Sequence, residues 1–89
     1  MATYTILCEP QEPQLIQQRL LANLRQAGEQ YIDCLQFSSM GGGHLSINHV
    51  ASGIDADHVY AVFRGIDVFL SKIGFTRTDE GDNCFLYKR

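Results

Sequence analysis

From residue 59 to residue 73 the chain repeats apolar side chains at helical spacing. Val59, Val62, Phe63, Ile66, Phe69, Leu70 and Ile73 fall on i, i+3, i+4 and i+7 positions. That pattern predicts an amphipathic helix whose apolar stripe must be buried against another layer. Asp55 or Asp57 can cap its start and Gly74 its end. Arg64 and Asp67, three residues apart on the other face, are placed to form a weak ion pair. Gly65 costs roughly 1 kcal/mol relative to Ala inside a helix, a cost that makes sense where a second helix packs closely against it.

A shorter stripe predicts that second helix. Ile16, Leu20 and Leu24 recur every four residues, with Leu15, Leu21 and Ala27 beside them. This helix should run from Pro13, which suits a first turn because its missing N–H costs nothing there, to Ala27, with Gly28 as the stop. Before it, residues 3–8 are rich in β-branched and aromatic types and read as a strand. Residues 31–38 read as a second strand. Residues 44–50 largely alternate polar and apolar and read as a third. Gly41, Gly42 and Gly43 lie between these two, which predicts a hairpin. In the tail, Asp79-Glu80-Gly81-Asp82-Asn83 is a strong turn signal followed by a strand at 84–87. One or two strands therefore end the chain.

The element order is β-α-β-β-α-β, with an extra C-terminal β-hairpin as a variant. It implies an α+β fold of ferredoxin-like arrangement, with two helices on one face of an antiparallel sheet. At 89 residues, 45% of them hydrophobic, the chain has material for one domain, 1–89, with a real core. A superfold of this kind carries little functional information by itself.

Charge and composition narrow the function classes. The net charge is −3 and the pI about 5.4. The seven cationic residues, Arg19, Arg25, Arg64, Lys72, Arg77, Lys88 and Arg89, are dispersed. Affinity for nucleic acid rests on neutralising phosphates, so nucleic acid is disfavoured as a partner. No apolar run approaches the ~20 residues of a membrane span, and the first residues lack a signal peptide's basic and apolar segments. Cys8, Cys34 and Cys84 are odd in number and far apart, as expected of thiols in a reducing cytoplasm. They read as small buried hydrophobes. The first and last strands should be neighbours, which would bring Cys8 and Cys84 onto adjacent strands.

Several stretches hint at chemistry. The three glycines resemble a phosphate loop, but an alternating strand follows instead of a helix, and no Lys is near. A hairpin turn accepts glycine's positive φ without strain and is the simpler reading. His44 and His49 differ by an odd number of strand positions, so they should face opposite sides of the sheet. His49, Asp55, Asp57 and His58 form the alternative polar site, able to hold a metal or substrate at the mouth of the second helix. Against it, the two aspartates suit a helix N-terminus and His58 suits the surface. Asp79, Glu80 and Asp82 read as solvated turn residues. No cofactor motif stands out.

The strongest anomaly is an apolar pattern on both faces of the strands. Ile32 and Cys34 lie on one side of the second strand, and Tyr31, Leu35 and Phe37 on the other with Asp33. Strand one has Tyr4 and Ile6 on one side and Leu7 on the other. Two helices cover only one face, and a half-covered antiparallel sheet should be polar outside. Either an open apolar face serves as an interaction surface, or a loop or the tail covers it. The sequence therefore predicts a non-enzymatic protein-binding domain. It would contact its partner through the open face, a strand edge or the glycine-tipped hairpin, using Tyr31, Asp33, Leu35, Phe37, Met40, Gly42 and His44. The partner is another protein, a second copy of the chain in a homodimer, or both. A small inhibitor or antagonist, of the immunity or phage-borne anti-defence type, is the concrete version of this expectation.

Overall fold

A computed structural model describes residues 2–26, 34–39, 41–50 and 56–89. The elements are β1 (Ala2–Leu7), α1 (Pro13–Gln26), β2 (Leu35–Ser39), β3 (His44–His49), α2 (Ala56–Lys72), β4 (Thr76–Asp79) and β5 (Cys84–Lys88). They form an α+β domain with one five-stranded sheet in the order β2-β3-β1-β5-β4.

The start of α1 and the end of α2 follow the sequence signals; the expected stop at Ala27 and Gly28 and the cap at Asp55 lie outside the described residues. Pro13 opens α1, and Glu12 sits just before it, its side-chain Oε1 accepting from the Glu9 N–H at 2.9 Å. The Ile16 N–H donates to the Glu12 carbonyl at 2.9 Å, which makes Glu12 the N-cap residue, and its side chain closes the Glu9–Glu12 turn ahead of the helix. At the end of α2, Gly74 adopts φ 97°. The Gly74 N–H donates to the Ser71 carbonyl (3.1 Å) and the Phe75 N–H to the Leu70 carbonyl (3.0 Å). That pair of bonds is a Schellman motif, closed by the buried Phe75 and Leu70 side chains. Gly65 lies where α2 meets α1. A Cβ there would come within 2.6 Å of Leu24 Cδ2, so the missing side chain permits the close approach.

The sheet is mixed rather than antiparallel. β3 pairs antiparallel with β1 and β2, and β4 with β5, but β5 runs parallel to β1. The tail hairpin explains the change. β4 reads Thr-Arg-Thr-Asp and is exposed throughout, whereas β5 brings Phe85 and Tyr87 to the core. The apolar strand takes the interior position and the charged strand the edge, as edge strands generally require. β1 and β5 are neighbours, but in parallel register Thr3 faces Cys84 and Leu7 faces Lys88. Cys8 and Cys84 therefore sit at opposite ends of the pair, roughly 16 Å apart along the strands. All three cysteines are free thiols.

Both helices pack into a single core with one face of the sheet. Ala2, Tyr4 and Ile6 of β1, Leu45 and Ile47 of β3 and Tyr87 of β5 meet Ile16, Leu20 and Leu24 of α1 and Val62, Ile66 and Leu70 of α2. Asp67, expected to pair with Arg64, turns toward the sheet instead. It accepts from the Tyr87 hydroxyl at 3.0 Å and pairs with Arg77 at 3.0 Å.

The register corrects the expected apolar open face. Leu35 lies opposite His49 and Phe37 opposite Ile47, so both share the helix-facing side. Leu35 is 8% exposed and belongs to the core, against which Phe37 is packed. The outer face instead carries Thr3, Thr5, Ser46, Asn48, Gln36, Ser38, Thr76 and Thr78, with Leu7 and Leu86 among them. Thr3 Oγ1 donates to Asn48 Oδ1 there at 3.0 Å. Among the described residues this is the polar outer surface of a half-covered sheet. Tyr31, Ile32 and Asp33, which made the second strand look apolar on both sides, lie outside the described residues.

Candidate binding cleft

The residues expected to bind a partner do not converge. Leu35 and Phe37 face the helices. Gly42 is exposed at the tip of the β2–β3 turn, with φ 60°. His44 is partly exposed on the outer face. Tyr31, Asp33 and Met40 lie outside the described residues. The glycine turn itself is a tight connection. Gly41, Gly42 and Gly43 all have positive φ, and the Cys8 N–H donates to the Gly43 carbonyl at 2.8 Å. β3 follows directly, so no helix N-terminus completes a phosphate site.

The alternative polar site is brought together in part. His49 and His58 are buried, at 1% and 6% exposure, so His58 is a core residue rather than a surface one. Their rings meet edge to face with centroids 5.0 Å apart, an ordinary aromatic packing geometry. Asp57 is exposed and Asp55 lies outside the described residues. Among the described residues no group of three or more His, Cys, Asp or Glu is placed to hold a metal ion. His44 and His49 do face opposite sides of the sheet.

A cleft that the sequence did not point to lies between α2 and the β4–β5 hairpin. Its volume is about 560 Å³. α2 contributes Val59, Tyr60 and Phe63 to one wall; Tyr4 and Phe85 form the floor; Arg77, Asp79 and Asn83 supply the polar rim. The aromatic rings are mutually supported. Tyr4 stacks on Phe85 with centroids 5.4 Å apart, Phe85 touches Phe63 at 5.0 Å, and Phe63 touches Tyr60 at 6.3 Å. Such contacts hold the walls at fixed angles. At 59% exposure Tyr60 is the most exposed large hydrophobic residue among those described.

Charges set the rim. The Arg77 guanidinium lies 5.0 Å from the centre of the Phe63 ring. It bonds Asp67 Oδ1 through Nη1 at 3.0 Å and Asp79 Oδ1 through Nε at 2.8 Å. Partial burial works against its charge, but the two carboxylates outweigh this and strengthen its hold on the proton. Burial pushes the Tyr4 phenol up from its ordinary range, with the charge of Asp67 adding to the effect. Burial, then the bond to Asp67, does the same to Tyr87. Both phenols are therefore neutral over the ordinary pH range. The Tyr4 hydroxyl is buried with no hydrogen-bond partner among the described residues.

The turn beside the cleft is tightly wound. Gly81, Asp82 and Asn83 have φ of 84°, 52° and 59°. Asp and Asn tolerate this left-handed region better than other non-glycine residues. The Asn83 carbonyl accepts from the Thr3 N–H at 2.9 Å, which ties the turn to β1.

The cleft can take an apolar or ring-bearing group against aromatic walls and meet its polar neighbours with Arg77, Asp79 and Asn83. It brings no nucleophile and base together among the described residues. The missed signals were Tyr60, which falls off the apolar stripe of α2, and the alternating charge of β4. Among the described residues no helix is long and apolar enough to cross a membrane. No protein-family model, curated protein or solved structure matches this chain.

Proposed function

We propose that this chain is a protein-binding domain that acts by contact rather than catalysis, taking an aromatic or large aliphatic side chain of another protein into the cleft between α2 and the β4–β5 hairpin. The observation that carries this reading is the cleft itself, apolar and ring-lined at its base with a charged rim. Binding sites generally combine apolar walls with a few fixed polar groups. Aromatic anchors seated in such pockets dominate protein interfaces. A small domain that blocks one surface of its target in this way would serve as an inhibitor or antagonist. The layout is read as a ferredoxin-like plan in which the tail hairpin inserts β5 between β1 and the last strand of the plan, β4.

Selection from a displayed library of random peptides tests the proposal. Wild-type protein should enrich sequences centred on an aromatic or large aliphatic residue. Phe63→Ala, which removes a cleft wall, should lose them while keeping the wild-type circular dichroism. Enrichment of the same sequences by both proteins would place binding elsewhere and end this reading.

A further inference from the structure

The free edge of the sheet carries an inference that goes beyond the cleft. β4 is the last strand in the order β2-β3-β1-β5-β4, so one side of it has no partner among the described residues. The hydrogen-bond alternation shows which groups point off that side. The Glu80 N–H donates to the Cys84 carbonyl at 2.9 Å. Thr78 opposite Leu86 and Thr76 opposite Lys88 then fall at the bonded positions of the hairpin. The backbone N–H and C=O of Arg77 and Asp79 are therefore directed outward. Their side chains share the helix-facing side and already bond each other at 2.8 Å.

We infer that this edge pairs with the same edge of a second copy, antiparallel about a two-fold axis through Thr78. In that register Arg77 of each copy stands opposite Asp79 of the other. Each of these two pairs exchanges both of its backbone hydrogen bonds. Opposite charges directly across an antiparallel pair stabilise it, and like charges oppose it. Shifting the axis by one residue sets Arg77 against Arg77, or Asp79 against Asp79. Only the Thr78 register is complementary, so the charges that protect this edge from arbitrary strands admit its own copy. The interface is isologous, as two-fold dimers require.

The pairing also completes the cleft. The two sheets become one, with both α2 helices on the same face. The β5 strands then lie three strand spacings apart, roughly 14 Å. Arg77 and Asp79 of the second copy extend the rim of the first copy's cleft, and the two clefts open into one groove. Tyr60 stands on its wall.

Sedimentation equilibrium of the full chain, with reciprocal charge variants, tests this. The wild type should show a reversible rise to twice the monomer mass. Arg77→Asp alone and Asp79→Arg alone should each remain monomeric, and an equimolar mixture of the two should give a heterodimer. Asp79→Pro removes an outward N–H together with the carboxylate that pairs with Arg77, leaves the β4–β5 backbone bonds in place, and should stay folded by circular dichroism yet monomeric, which keeps the test decisive if Arg77→Asp fails to fold. A wild type that stays monomeric up to about 1 mM, or an Asp79→Pro protein that dimerises as the wild type does, would overturn the inference. Phe63→Ala should lose peptide capture and keep the dimer mass, so the cleft reading and the edge reading fail separately.

Discussion

The three glycines of the β2–β3 turn look interchangeable in sequence, and the structure makes them unequal. A Cβ on Gly41 or Gly42 would meet nothing within 4 Å. A Cβ on Gly43 would lie 1.9 Å from the Cys8 carbonyl oxygen, 2.9 Å from its carbon and 3.1 Å from the Glu9 carbon. For Gly42→Ala the only charge is a left-handed φ, about 1–2 kcal/mol, partly offset by about 0.4–1 kcal/mol from a stiffer unfolded chain. The net loss should be below about 1.6 kcal/mol. For Gly43→Ala the overlap is with backbone, so no rotamer relieves it. The turn must move away from the end of β1, and the Cys8 N–H bond to the Gly43 carbonyl (2.8 Å) is lost. A backbone donor left unpaired adds about 1–3 kcal/mol, so Gly43→Ala should cost about 1–3 kcal/mol more than Gly42→Ala. Urea unfolding followed by circular dichroism separates the two. At a slope of about 1 kcal/mol per molar urea, Gly43→Ala should lower the midpoint by about 1–3 M more than Gly42→Ala does. Equal shifts would refute the claim that Gly43 is fixed by its approach to Cys8 rather than by its φ.

Four further outcomes follow from the packing. Leu35→Asp should unfold the domain or cost about 3–5 kcal/mol, because it puts a carboxylate into the core; Leu7→Asp on the outer face should change the urea midpoint by less than about 0.5 M. Asp67→Asn should cost about 1–3 kcal/mol by weakening the bonds from Tyr87 and Arg77, and chemical-shift changes should concentrate around the Phe63 ring that Arg77 covers. Stability should fall as pH rises above about 10: the folded state keeps the Tyr4 and Tyr87 protons that the unfolded chain releases there, so unfolding is coupled to proton loss. Phenolate absorbance from these two residues should then appear only with the loss of the circular dichroism signal. Added Zn²⁺ or Ni²⁺ should leave the thermal midpoint unchanged, since among the described residues only His49 and His58 come together as ligands where a structural site generally has four; a rise of several degrees would revive the His/Asp site.

The parts legible in the sequence were those whose periodicity matches their burial. α2 alternates buried and exposed residues as its stripe predicts, and α1 buries Ile16, Leu20 and Leu24. The turn glycines and Gly74 were legible because positive φ has few alternatives to glycine. The sidedness of β2 was not. Parity alone put Leu35 and Phe37 on one face, but choosing which face meets the helices needs the register with β3, a contact between strands. The neighbours of β5 were half legible. The first and last strands do pair, yet their direction depends on whether Thr76–Asp79 is a strand, and a Thr-Arg-Thr-Asp run has no apolar alternation to announce one. The cleft was invisible for a related reason. Its walls come from β1, α2, β4 and β5, and no local pattern joins Tyr4 to Tyr60 or Arg77.

Asp67 links the fold to both proposed surfaces. A single carboxylate on α2 receives the Tyr87 hydroxyl from the sheet interior and Arg77 from the edge strand. Arg77 in turn reaches Asp79 and covers Phe63. Exposed ion pairs taken singly contribute about 0–1 kcal/mol, so beyond the Tyr87 bond this cluster adds little as a source of stability alone. Its value is positional. It holds β4, a strand with no buried residue of its own, at a fixed angle to α2, and that angle keeps the cleft open. It also presents Arg77 and Asp79 in the alternation that a second copy would match. A hydrophobic replacement of β4 would anchor the edge more firmly against α2, but it would fill the cleft and remove the charge pattern that selects one pairing register. On this account the chain gives up core area at its last hairpin in return for a shaped, charged edge, and its fully exposed strand is the one to which both proposals assign contact.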